Sequence, residues 1–184
     1  MQSSDAALIH RAQAGDQQAF GTLVQQHQGR VHSFVWRLCG NPDHALDITQ
    51  DTFIKAWQAL PDWRPEARFQ TWLLRIARNT AIDALRRTRH QPEPLPDDAL
   101  LIDHGPTPLR QLESNRLIVQ LEALLAQLPL AQREVLLLRE LEGFSYQELA
   151  AALDISEGTV KSRLARARSA LLQARNTTTG ASDD

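Results

Sequence analysis

The chain has 184 residues, a formal net charge of −2, 42% apolar residues and a single cysteine. Cys39 alone excludes an internal disulfide and supplies no metal-ligand set; beside Trp36 and Leu38 it reads as a small buried side chain. No basic-then-apolar leader opens the chain and no apolar run approaches about 18 residues, so a soluble, cytoplasmic protein is expected.

The mild net charge hides a pattern. Gln70–His90 carries five basic residues and one acidic, and Glu157–Arg175 does the same. Between them Gln91–Asn115 has five of the nine prolines, five acidic residues, one basic residue and no helical period. Helical periodicity dominates elsewhere and no stretch alternates like a strand. The expected fold is therefore all-α: two small helical domains, residues 5–90 and 116–175, joined by a Pro-rich acidic linker at 91–115 and followed by a disordered tail at 176–184.

In chain order, the apolar pattern from Ala19 through Val31, Phe34, Val35 and Leu38 predicts a helix stopped at Gly40-Asn41. Asn41 then caps a helix with Pro42 in its first turn, running to Leu60, where Pro61 ends it. Leu46, Phe53, Trp57 and Leu60 form its predicted core stripe. Its other face presents Asp47, Gln50, Asp51, Ile54, Lys55 and Gln58, either a solvated face or a docking surface. A paired-carboxylate enzyme site would need further ligands from a second helix, and none stand at the right spacing.

A loop containing Trp63 and Arg64 leads to a helix from Phe69 to Arg87 in which aromatics and arginines interleave. Leu73, Ile76, Ala77, Thr80, Ala81 and Ala84 cover its core side. Arg75, Asn79, Asp83 and Arg86 line the opposite side, with Arg78 beside them and Trp72 on the boundary. Guanidinium charge beside aromatic stacking surface suits a phosphate backbone next to unstacked bases, and the loop could enclose a base drawn from the stack.

In the last third, Ser145 followed by Glu148 is a capping box that opens one helix. Ser156 caps another after the turn Leu153-Asp154-Ile155. This is a helix-turn-helix. On its second helix Val160, Leu164, Ala167 and Leu171 pack, whereas Ser162, Ala165 and Arg166 lie opposite with Lys161 flanking, able to meet base edges in the major groove. Ser156, Glu157 and Thr159 open the same helix. Arg163, Arg168 and Arg175 are phosphate contacts or plain surface charge.

Asp47-Ile-Thr-Gln-Asp-Thr-Phe-Ile-Lys-Ala-Trp57, Phe69-Gln-Thr-Trp-Leu-Leu-Arg-Ile-Ala-Arg-Asn79, Leu128-Pro-Leu-Ala-Gln-Arg-Glu-Val-Leu-Leu-Leu-Arg139 and the helix-turn-helix, in that order, resemble a bacterial sigma-70 family initiation factor of the extracytoplasmic function group. The resemblance implies that Asp47, Gln50, Asp51, Ile54 and Gln58 dock on the clamp helices of the largest subunit of core RNA polymerase. It implies that Trp63, Arg64, Trp72, Arg75, Arg78, Asn79, Asp83 and Arg86 open and read a single-stranded minus 10 element. Ser156, Glu157, Thr159, Lys161, Ser162, Arg163, Ala165 and Arg166 would read a duplex minus 35 element, and apolar surface near Leu136–Leu141 would sit on the flap of the other large subunit. The linker would run through the RNA exit and active-site channels. Members are usually held by an anti-sigma factor, often membrane-anchored; no cofactor is implied. The loop before Phe69 is Pro-rich where the family commonly has Gly and Ser, so minus 10 base preference does not transfer, and Ala165 leaves minus 35 preference open.

Two other readings compete. A stand-alone helix-turn-helix regulator would carry an α/β receiver or ligand domain in front, and nothing before Gln91 reads as alternating strand and helix. An enzyme is disfavoured because the six histidines form no HxxxH or HExxH pattern and no nucleophile elbow is present.

Overall fold

The computed structural model describes residues 3–90 and 108–180, and these are helical throughout apart from the turns and loops between helices. The all-α expectation holds. The first domain contains α1 (Ser3–Gln13), α2 (Gln17–Cys39), α3 (Pro42–Ala59) with a 3₁₀ turn at Leu60–Asp62, and α4 (Phe69–His90). The second contains α5 (Pro108–Gln127), α6 (Leu130–Leu136) continued by a π turn at Leu137–Leu141, α7 (Tyr146–Leu153) and α8 (Glu157–Gly180).

Local chemistry sets these boundaries. Asp16 accepts hydrogen bonds from the Gln18 and Ala19 N–H groups, both at 3.0 Å, and so starts α2. Gly40, at φ 73°, ends it and donates its N–H to the Trp36 carbonyl at 2.7 Å. Asn41 Oδ1 accepts from the His44 N–H, as a cap should. The capping box is complete: Glu148 N–H donates to Ser145 Oγ at 3.1 Å and Ser145 N–H to Glu148 Oε2 at 2.7 Å. Asp154 takes the left-handed conformation at the end of α7, and Ser156 Oγ accepts from the Thr159 N–H to begin α8.

Three boundaries differ from the expectation. α5 already begins at Pro108, inside the stretch read as linker, because a proline's missing N–H costs nothing in the first turn of a helix. α8 continues to Gly180, five residues beyond the expected edge of its domain. Residues 91–107 and 181–184, the rest of the expected linker and tail, lie outside the described residues.

The first domain packs Leu23, Val31, Phe34, Val35 and Leu38 of α2 against Ala45, Ile48, Phe53 and Ala56 of α3 and Leu73, Leu74, Ala77 and Ala81 of α4. The expected stripe on α3 is rotated. Phe53 and Leu60 are buried and Trp57 is half-buried, its ring 4.8 Å from that of Phe20, but Leu46 is 54% exposed. Ala45 and Ile48 fill the contact with α2, and Thr49 and Thr52 are buried with their hydroxyls donating to the Ala45 and Ile48 carbonyls.

The second domain is built around α6, which packs on α8 and touches α2 of the first domain. This explains a second correction. Leu136, Leu137 and Leu138 are buried, so the apolar surface expected across Leu136–Leu141 is reduced to Leu141, which is 45% exposed. Glu134 to Leu138 are five consecutive buried residues, which a helix with one wet face cannot hold. α6 has none, being wedged between its own domain and the other.

The two domains meet through a one-signed set of contacts. Arg30 lies 2.8 Å from Glu142, Arg37 3.7 Å from Glu122, Arg68 3.6 Å from Glu148 and Arg78 2.9 Å from Glu134. Gln70 Nε2 donates to Glu142 Oε2 and the Thr71 hydroxyl to Glu148 Oε1. In each the first domain supplies the donor and the second the carboxylate. Arg133 Nη1 reverses the direction, donating to the Leu38 carbonyl at 2.9 Å.

Candidate nucleic-acid interface

Three exposed faces carry the residues singled out from the sequence. On α3, Asp47, Gln50, Asp51, Ile54 and Gln58 are all exposed and share one side. Leu46 joins them, an apolar residue that sequence periodicity had assigned to the core. Lys55 leaves this face, its Nζ donating to Thr80 Oγ1 at 3.2 Å. The result is an acidic strip with two exposed apolar side chains, Leu46 and Ile54, which costs free energy in water and is recovered when a partner covers it.

On α4, Arg75, Asn79, Asp83 and Arg86 are exposed as expected. Arg78, Asn79, Asp83 and Arg86, with Ile82, line a groove of about 290 Å³. Arg78 is divided between this groove and the domain interface: its Nη1 donates to Asn79 Oδ1, while its Nε and Nη2 hold Glu134.

The tryptophans differ from the expectation. Trp72 is 9% exposed, on the core side of α4 and not at its boundary. Its ring lies 5.9 Å from Trp63 and 5.4 Å from Phe69, and Trp63 meets Phe69 edge-on at 5.9 Å. Trp63 is half-buried, and its carbonyl accepts from Gln13 Nε2 at 2.9 Å, so α1 fixes the loop from behind. Arg64 remains exposed. In this arrangement the aromatic groups build the loop's support, and the polar side chains of α4 are the ones free to meet a ligand.

On α8, Ser156, Glu157, Lys161, Ala165 and Arg166 are exposed, while Val160, Leu164 and Ala167 are buried. Thr159 and Ser162 are half-buried. Ser156 Oγ and Thr159 Oγ1 bond to each other at 2.9 Å, and Ser162 Oγ donates to the Thr159 carbonyl, so these hydroxyls shape the helix start. Arg163 turns inward to Glu134 at 3.5 Å, and Arg168 pairs with Glu140 at 2.5 Å. The side chain of Arg175 lies outside the described residues. Tyr146 on α7 was not anticipated; its ring lies 5.8 Å from Lys161 Nζ and 4.8 Å from the Arg139 guanidinium, which steadies Lys161 from the first helix of the motif.

Among the described residues there is no group of three His, Cys, Asp or Glu that could hold a metal ion. Nor is any helix there long and apolar enough to cross a membrane.

Two family models match this architecture, sigma-70 region 2 over residues 23–91 and sigma-70 region 4 over residues 118–171. The RNA polymerase sigma factor NccH of Alcaligenes xylosoxydans xylosoxydans is 42% identical, over 92% of this chain and 93% of its own length. The chain is a sigma-70 family RNA polymerase sigma factor of the extracytoplasmic function group. The ECF sigma-E factor of Escherichia coli K12 is 37% identical with the same coverage of each chain. Among solved structures, CnrH in complex with the cytosolic domain of CnrY superposes with a TM-score of 0.69 at 30% identity, covering 95% of this sigma factor and 99% of CnrH. The sigma factor RpoE from Bartonella quintana, in complex with the anti-sigma factor NepR, gives 0.67 at 27% identity, covering 85% and 96%. As a member of this family the protein binds core RNA polymerase and directs promoter-specific transcription initiation. The region 2 match to the first half sets aside a stand-alone regulator.

Proposed function

We propose that the two domains divide the work of initiation, residues 5–90 docking on polymerase and opening the minus 10 element, residues 116–175 reading the minus 35 duplex. The observation that carries this division is the separation of three exposed faces. The strip of Leu46, Asp47, Gln50, Asp51, Ile54 and Gln58 on α3 suits a protein partner, because it pairs apolar area with a single sign of charge. The groove of Arg75, Arg78, Asn79, Asp83 and Arg86 on α4, with Arg64 in the preceding loop, suits separated strands. Trp63 and Trp72 support that loop. Lys161, Ala165 and Arg166, flanked by Ser156, Glu157, Thr159, Ser162 and Arg163, suit the major groove.

The protein works as an initiation factor without catalytic chemistry of its own, and in the cytoplasm, where polymerase is. An anti-sigma factor restrains it, as one restrains the Bartonella relative in the solved complex.

Run-off transcription from a promoter library, with purified core polymerase and with or without the protein, tests the reading. Discrete start sites that require both components are the expected result. Specific duplex footprints by the protein alone, with no transcription, would overturn it. Loss of core binding in Asp51→Ala with helicity unchanged would identify the α3 strip as the docking face.

A further inference from the structure

The contacts between the domains have a geometry that promoter reading cannot keep. Glu134, only 3% exposed, accepts from Arg78 of α4 at 2.9 Å through one carboxylate oxygen, and its other oxygen lies 3.5 Å from Arg163 of α8. One carboxylate therefore ties the helix read as the minus 10 reader to the helix read as the minus 35 reader. Elements centred about 25 base pairs apart are separated by about 80 Å of duplex at 3.4 Å per base pair. Two helices sharing a carboxylate cannot serve both. We propose that the free protein is held in a closed, self-restrained state by the carboxylates of its second domain on the arginines of its first, with Glu134 as the catch, and that engagement of polymerase draws on the open fraction. The proposal rests on the promoter-reading roles assigned above.

The interface is built for this role. Four acidic residues, Glu122, Glu134, Glu142 and Glu148, all from the second domain, face Arg37, Arg78, Arg30 and Arg68, all from the first. The carboxylates of Glu134 and Glu142 are 4% and 7% exposed, so salt screens them less than surface pairs. The exposed faces of α3, α4 and α8 remain uncovered in the closed state. The restraint acts on the distance between the readers, not by masking them. A protein whose competent conformation is a fraction of the total binds its partner more weakly by that fraction.

Small-angle scattering of the full-length chain and titration onto core polymerase test this together. Arg30→Glu places a carboxylate against Glu142, and Glu134→Gln removes the shared charge. Both variants should show a larger radius of gyration and tighter core binding, by about threefold or more. The exchange R30E/E142R should restore the wild-type radius and affinity. Should Arg30→Glu lose helicity, E134Q and the exchange carry the test. Unchanged scattering in the variants, or expansion without tighter core binding, would overturn the closed-state restraint. A wild-type protein that never supports transcription with core would instead overturn the sigma-factor roles, and the scattering would still judge closure.

Discussion

Arg78 places Nε and Nη2 each 2.9 Å from the same oxygen of Glu134, so a residue expected to serve DNA also holds the second domain. Replacing it by Ala leaves a buried carboxylate with only Arg163 nearby. Breaking a buried pair costs about 3–5 kcal/mol, and because Arg78 is one-fifth exposed and Arg163 remains, about 2 kcal/mol is expected. Arg75 and Asn79 are exposed on the same helix, and their Ala variants should stay within about 0.5 kcal/mol of wild type while impairing promoter opening. Urea melts of the three variants check this; equal melts for R78A and R75A would refute the interface role of Arg78.

The capping box makes acid stability dependent on Glu148. Burial pushes its carboxyl up, but the Ser145 N–H, Ser145 itself, Arg68 and Thr71 together hold it below the usual 4.5. A carboxyl lowered in the folded state stabilises above its unfolded pKa and loses that contribution as pH falls through the lowered value. The stability gap between wild type and Glu148→Gln should therefore be full at neutral pH and close below about pH 4.5. Glu142 runs the other way, since burial raises its carboxyl despite Arg30 and Gln70; its contribution is present below 4.5 and lost as pH rises through the raised value. Thermal melts from pH 3 to 7 separate the two signs.

What could be read in the sequence was local. Ser145 with Glu148 and Ser156 with Thr159 each lie three residues apart, and their backbone partners lie within the same turn, so the motif is legible without tertiary knowledge. The exposed faces of α4 and α8 followed from a 3.6-residue period. Domain docking did not, because Arg78 and Glu134 are 56 positions apart and a charged residue carries no mark of its partner. The same blindness put Leu46 inside and Leu136–Leu138 outside. Periodicity names a helix's apolar side, but only packing shows that α6 has neighbours all round and that the small Ala45 takes the seat beside Leu46.

Recognition by α8 separates into two kinds of loss. Arg166 is exposed and faces away from the packed residues Val160 and Leu164. If it meets a base edge, Arg166→Ala should cost about 1–3 kcal/mol and relax preference at one minus 35 position. Lys161→Ala should weaken all sequences alike and lower the salt dependence of binding. Competition binding with single-base promoter variants distinguishes them; a uniform loss for R166A would make it a phosphate contact. Tyr146→Leu, which removes the ring near Lys161, should reproduce a part of the K161A loss.

Cys39 lines the cavity between the domains, with Leu38, Arg133 and Glu134 around it. Burial pushes its thiol up to about 11, against an ordinary 9.0, with Arg133 pulling weakly the other way. Only the thiolate reacts, so at pH 8 iodoacetamide should label the folded protein about a hundredfold more slowly than the urea-unfolded chain. Equal rates would mean that the thiol is not enclosed.

The α3 strip gives the sharpest separation of function from stability. Leu46 and Ile54 are 54% and 56% exposed, so truncating either removes little that the folded protein uses. Each should bury its side chain when polymerase covers the strip, and covering the remaining half of a Leu or Ile is worth about 1 kcal/mol. Leu46→Ala and Ile54→Ala should therefore each weaken core binding about fivefold with unchanged melting, as a 1 kcal/mol loss converts to that factor. Asp51→Lys should lower the association rate and make it less sensitive to salt, because a strip of one sign steers its partner over a Debye length of about 8 Å. A Leu46→Ala variant that melted several degrees lower with wild-type core affinity would return Leu46 to the core stripe suggested by its spacing from Phe53.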